Sequence, residues 1–130
     1  MDGSTGMQYS RALKALSDVT RIQILEFLTE GEHCVTDLVE RLAVDQPKVS
    51  HHLGILRGAG VIRSRRDGRH IRYSLRPTAH RRVAGPTGEE TDIFQILPDL
   101  SVCIRFSRQV KETVLPPPPP SDEPLESGAV

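Results

Sequence analysis

Between Gln8 and Leu42 the apolar positions recur every three or four residues, the spacing of a helix face rather than of a strand. Leu13 and Leu16 open the series. Asp18 has the chemistry of an N-cap for a helix from Val19 to about Glu30, with Ile22, Leu25 and Leu28 as its stripe and Gly31 as its stop. A second helix is predicted from about Val35 to Leu42, with Val35, Leu38 and Leu42 inward. After the turn at Ala43 and Val44, Asp45 caps a third helix from Gln46 to about Arg57, which Gly58 and Gly60 end. On a wheel of 100° per residue, Leu53 and Leu56 fall within about 40° of Val49. Pro47, Ser50, His51 and Gly54 then lie on the other sides, with His52 half-buried beside Leu53.

At Val61 the period changes from helical to alternating. VIRSRR, Asp67-Gly68 and RHIRYSL read as a β-hairpin, with Asp-Gly as a two-residue loop. Pairing outward from that loop sets Arg66 against Arg69, Arg65 against His70 and Ser64 against Ile71. Ile62, Ile71 and Tyr73 share one face, and Arg63, Arg65, His70 and Arg72 share the other. Beyond Pro77 the pattern weakens. Thr78 to Ala84 reads as a helical turn, Gly85 to Glu90 as a loop, and Ser101 to Phe106 as an alternating segment. Pro116 to Pro120 forms a polyproline II spacer, and the ten residues after it have a disordered composition.

The expected organisation is thus a flexible N-terminus (1–7), a DNA-binding domain (8–82), a C-terminal dimerisation and sensing segment (83–115) and a Pro-rich tail (116–130). Leu13, Leu16, Ile93, Phe94, Ile96 and Leu97 have too little domain of their own to be buried in. We therefore expect the N-terminal helix and the C-terminal segment at a homodimer interface.

Charge sharpens this picture. The formal net charge is zero, but residues 9–82 carry 14 Lys and Arg against 8 Asp and Glu, and residues 83–130 carry 3 against 8. Between Arg57 and Arg82 nine arginines face the single Asp67. Such a block marks a solvated face or a polyanion partner. Three short helices followed by a cationic hairpin make a mainly α, winged helix-turn-helix arrangement, and this suits double-stranded operator DNA. A helix fits the major groove. A hairpin bearing arginines reaches the neighbouring backbone and displaces counterions. Gln46, Lys48, Ser50 and His51 stand on the first turns of the recognition helix, whose N-terminal amides also favour phosphate.

At these residues the chain resembles the ArsR/SmtB family of bacterial repressors. The similar pieces are ALSDVTRIQIL (15–25), HCVTDLVERL (33–42), QPKVSHHLGILRGAGVI (46–62) and DGRHIRYSL (67–75), covering roughly Gln8 to Pro77. The resemblance implies a homodimeric repressor derepressed by an inducer. It also implies DNA contacts from Gln46, Lys48, Ser50 and His51 on the recognition helix, and from Arg65, Arg66, Arg69 and His70 on the wing. The chain departs from the family at its metal sites. Where the family's thiolate site has Cys-Val-Cys-Asp, Cys34-Val35-Thr36-Asp37 keeps only the first cysteine. The family's second site needs His and acidic ligands on a C-terminal helix, and only His80 stands in that region. Asp99 to Phe106 is faintly similar to a C-terminal thiol segment found in some members, with Cys103 as its one thiol.

Cys34 and Cys103 are the candidate sensing residues. Soft ions such as As(III), Cd(II), Pb(II) or Cu(I) prefer thiolates, so a thiophilic metal or metalloid is the expected inducer. A disulfide or polysulfide bridge between the same thiols is the alternative. His33 is a third ligand or a loop histidine at the surface. Adjacent His51 and His52 point about 100° apart and do not chelate one ion together. No transmembrane stretch and no signal-peptide pattern is present, so a cytoplasmic protein with no membrane partner is expected. An enzyme would need a nucleophile with its base, paired carboxylates or a phosphate loop, and none is found. A protein-interaction adaptor that docks through the Pro-rich tail is the reading of another class.

Overall fold

The computed structural model describes residues 3–107. The chain runs α1 (Gly3–Leu16), α2 (Val19–Leu28), β1 (His33–Cys34), α3 (Val35–Leu42), α4 (Gln46–Gly58), β2 (Ile62–Asp67), β3 (His70–Leu75), β4 (His80–Ala84), β5 (Glu90–Leu97) and β6 (Leu100–Ile104). The strands form two antiparallel three-stranded sheets, ordered β1-β3-β2 and β4-β5-β6.

The starts of α2, α3 and α4 have local causes. The Asp18 carboxylate accepts from the amides of Thr20 at 2.8 Å and Arg21 at 3.2 Å, which caps α2. At α3 the Asp37 carboxylate reaches back to the Cys34 amide at 3.4 Å. Asp45 holds the N-cap position of α4, but its side chain makes no capping bond. Its carbonyl accepts from Lys48 and Val49, and Pro47 in the first turn presets the helical φ. Between α3 and α4 the chain turns through Ala43 in the left-handed region, at φ 56° and ψ 40°.

One core joins all the layers. Leu16, Ile24, Leu25, Leu28, Leu38, Val49, Leu53, Leu56 and Ile62 are buried with Phe94 and Ile96 from β5. The inward triad of α4 (Val49, Leu53, Leu56) is completely buried, while Pro47, Ser50, His51 and Gly54 are exposed, as the wheel predicts. Burying three large aliphatic side chains is what orients α4 and leaves its polar face outward.

The structure corrects several expectations. Residues 1–7 were expected to be loose, yet α1 begins at Gly3. Thr78 to Ala84 was expected to be a helical turn. Only the turn at Arg76–Ala79 is there, closed by the Ala79 amide on the Arg76 carbonyl at 2.9 Å, and a strand follows from His80. The sequence boundary at residue 82 therefore cuts through β4. Of the six residues expected at a dimer interface, Leu16, Phe94 and Ile96 are buried within the protomer, and Ile93 and Leu97 are half-buried. Only Leu13 is exposed, at 44%. The second sheet supplies the cover that local patterning could not reveal, with α1 tied to its β5–β6 turn by Tyr9 Oη donating to Asp99 at 2.6 Å. Asp92 is completely buried on this sheet, which demands partners. It has them in His80 Nε2 at 2.7 Å and Arg82 Nε at 3.0 Å. The Pro-rich tail and its expected disorder lie outside the described residues.

Candidate nucleic-acid interface

The hairpin register differs from the one expected. Asp67 pairs with His70, Arg66 with Ile71, Arg65 with Arg72 and Ser64 with Tyr73, so the loop is Gly68-Arg69 instead of Asp67-Gly68. Gly68 sits at φ +67° and Arg69 is not at positive φ, the pattern of a hairpin turn with glycine at its first loop position. The shift moves each partner by two residues, so the faces are unchanged. Arg63, Arg65, His70 and Arg72 still share the cationic face.

The charges on that face are not equivalent. Arg65 binds the Glu32 carboxylate in a bidentate pair, Nε and Nη2 each at 2.9 Å. That hydrogen-bonded pair holds the Glu32 carboxyl below its ordinary range. Arg72 donates to Asp67 at 2.8 Å and depresses its pKa in the same way. Among the described residues, Arg63, Arg66 and Arg69 have no such partner. The wing thus presents three uncompensated guanidinium groups, and Arg65 acts as a tie to the loop before α3. Glu32 escaped the sequence analysis because 33 residues separate it from Arg65. An acid beside a chain turn carries no signal for so distant a partner.

Gln46, Lys48, Ser50 and His51 are all exposed on α4, and Arg66, Arg69 and His70 are exposed on the wing. Gln46, Arg69 and His70 come together around a cleft of about 200 Å³, where Cys34, Val35, Thr36 and Ile71 also line the wall. Lys48, Ser50, His51, Arg65 and Arg66 do not line it. His52 behaves as a framework residue. Its Nδ1 accepts from Arg21 Nη1 at 3.0 Å, and Arg21 also donates from Nε to the Ala15 carbonyl at 2.7 Å. Burial pushes the His52 pKa down, against the opposing pull of Asp18.

Cys34 is buried at the start of α3. Its Sγ lies 3.3 Å from Asp37 Oδ2, to which it donates, and 3.2 Å from Thr36 Oγ1. The thiol's hydrogen bond is the first cause of a lowered Asp37 pKa. Cys103 is exposed on β6, where it pairs with Ile93 in the other sheet. Both cysteines are free, and the described residues contain no group of three or more His, Cys, Asp or Glu fit to hold a metal. His33 is buried, not in a surface loop. Its Nδ1 is 2.9 Å from the Gly31 carbonyl, and its ring lies beside Phe27.

A helix with a buried apolar triad and an exposed polar start, flanked by a cationic hairpin, is the geometry of a winged helix-turn-helix. The family model for bacterial regulatory proteins of the arsR family matches residues 18–64. The transcriptional repressor SdpR of Bacillus subtilis is 42% identical over 69 residues, covering 53% of this chain and 77% of that protein. The chain belongs to the arsR family. A regulatory family excludes the enzyme reading. A probable mercury resistance operon repressor of Streptomyces lividans is 41% identical over 66 residues, covering 51% of the chain and 53% of the relative. The arsR-type chain thus spans about half the length of that relative. Among solved structures, a homodimeric winged helix-turn-helix DNA-binding domain from Mycobacterium bovis is 29% identical. It superposes with a TM-score of 0.52 over 56% of this chain and 68% of that one. No described helix is long and apolar enough to cross a membrane.

Proposed function

We propose that this arsR-family protein is a cytoplasmic, homodimeric transcriptional repressor that binds double-stranded operator DNA and is released by a thiol-directed effector acting at Cys34. The observation that carries the DNA reading is the common surface of α4 and the wing. Gln46, Lys48, Ser50 and His51 project from a helix whose other face is locked in the core, and Arg69 and His70 extend that surface by meeting Gln46 in one cleft. A two-fold dimer would present two such helices to an inverted repeat with half-sites about 34–36 Å apart. The adaptor reading leaves Arg69, at the wing tip and uncompensated among the described residues, without a role.

A thiophilic metal or metalloid is supported by the relative named for mercury resistance. Among the described residues no donor set completes such a site, because the Cys34 thiol is hydrogen-bonded to Thr36 and Asp37 while Cys103 stands on the other sheet. Ligation would have to draw on donors beyond these described residues, such as those of a second chain. Oxidation or persulfidation needs no second ligand, and the cleft favours this alternative. An added group on Cys34 would crowd Gln46, Arg69 and His70 directly. The test is release from operator DNA by arsenite, Cd(II), a thiol oxidant or a persulfide donor, followed by mass spectrometry of the released protein. Retained metal supports ligation, and gain of oxygen or of sulfur at Cys34 supports thiol chemistry. A Cys34→Ser protein that responds as the parent does would sink the sensing assignment and leave DNA binding standing.

A further inference from the structure

Apolar packing decides which face of α4 is buried, but it is non-directional, and packed helices scatter by about 15–20° in how they cross. A hydrogen bond has direction. Arg21 of α2 supplies one. Its Nη1 donates to His52 Nδ1 on α4 at 3.0 Å, its Nε to the Ala15 carbonyl at 2.7 Å and its Nη2 to the Lys14 carbonyl at 3.2 Å. One guanidinium therefore joins the end of α1, the first turn of α2 and the recognition helix. His52 directly follows Ser50 and His51, which are exposed, so the roll of the helix that it fixes is the roll that aims them.

This contact exists in one protonation state only. An arginine can only donate, so Nδ1 is a bare acceptor and the ring proton sits on Nε2, 3.9 Å from Asp18 Oδ1. A second ring proton goes to Nδ1. It sets an imidazolium N–H against a guanidinium N–H, and the hydrogen bond becomes a like-charge repulsion. Asp18, the N-cap of α2, then attracts the imidazolium from the Nε2 side. The charged and titratable groups that face His52 are Asp18 and Arg21 from α2 and His51 from α4, whose ring centroid is 5.6 Å away. α1 meets the clamp through the carbonyls of Lys14 and Ala15. Burial keeps His52 neutral to a lower pH than an ordinary histidine, against the pull of Asp18, and the charges of Arg21 and His51 add to it.

We propose that Arg21 and His52 position the recognition helix through this contact, and that DNA affinity falls when His52 takes up a proton. This rests on the DNA-binding reading above. The role is one of positioning, because the pair acts through Ser50 and His51 without touching DNA itself. Its sign is opposite to that of the other histidines on the surface. His51 and His70 are exposed, and as they become cationic they strengthen contacts to phosphate.

The test uses the full chain and a labelled duplex that the protein itself selects from a random-sequence pool. Affinity is followed by anisotropy at constant salt from about pH 7.5 to about pH 5.5. In His52→Asn the amide oxygen replaces Nδ1 as acceptor, helix propensity hardly changes and the position no longer titrates. His51 and His70 titrate in both proteins, so they cancel in the ratio of variant to parent affinity. That ratio should rise about fivefold or more as the pH falls. A ratio that stays constant or falls overturns the clamp and leaves DNA binding standing. Failure to select any duplex at the higher pH overturns both. Circular dichroism is recorded at each pH, and a parent that loses helix in step with affinity overturns the proposal, because the loss is then unfolding. Nitrogen NMR of the parent's histidine rings decides the matter if the variant does not fold. His52 should be bare at Nδ1 at the higher pH and gain its proton there as the pH falls, and an Nδ1–H tautomer at the higher pH overturns the proposal.

Discussion

Arg69→Ala should flatten the salt dependence of DNA binding, whereas Arg65→Ala should leave it nearly unchanged. The sequence treats these two arginines alike, and the structure separates them. Arg65 is held by Glu32 through two bonds of 2.9 Å, and the pairing keeps that carboxyl ionised well below neutral pH. Its charge is already compensated in the free protein. Arg69 lines the cleft at the tip of the wing with no carboxylate on it among the described residues. Each phosphate neutralised adds about 0.9 to the slope of log affinity against log salt, so losing Arg69 from both protomers removes about 1.8. Between about 50 and 200 mM salt this amounts to a roughly tenfold difference in how far affinity falls. Glu32→Gln should act in the opposite sense, releasing Arg65 and steepening the slope by up to about the same amount. Phosphate contacts are independent of sequence, so anisotropy of a labelled duplex of arbitrary sequence across a potassium chloride series is sufficient. Equal slopes for Arg65→Ala and Arg69→Ala would refute the reasoning, as would an Arg69→Ala slope equal to that of the parent.

Two further outcomes concern stability. Burial holds the His52 imidazole below its ordinary pKa, so the unfolded chain binds that proton more tightly than the folded one. The stability His52 contributes is present near neutral pH and is lost as the pH falls through the ordinary histidine range toward the lower folded value. His52→Gln should flatten that part of the Tm profile between about pH 7 and 5, and an unchanged profile would count against the burial argument. Ala43 occupies the left-handed region at φ 56°, which costs a non-glycine residue about 1–2 kcal/mol. Ala43→Gly gives part of this back as unfolded-state entropy, leaving a gain of up to about 1 kcal/mol in urea denaturation, and a clear loss would refute the strain.

The chain's own order of residues determined everything whose cause is local. Asp18 caps α2, Val49, Leu53 and Leu56 set which side of α4 faces water, and the alternation around Gly68 separates the cationic face of the wing from its apolar one. The face assignment survived an error in the loop because a shift of two residues preserves parity. The tertiary structure decided what depends on distant partners. β4 forms because β5, ten residues further on, offers it a ladder, and no local period in Thr78 to Ala84 announces that pairing. Leu16, Phe94 and Ile96 read as surplus apolar residues in want of a dimer, until the second sheet folds over α1 and buries them. Cys34 and Arg69 lie 35 positions apart in the sequence, and they meet in one cleft because β1 and β2 flank β3 in a single sheet. Helical and strand periodicity arise from neighbouring residues and can be read along the chain. Pairing between strands and the matching of charges across loops arise only when the chain closes on itself.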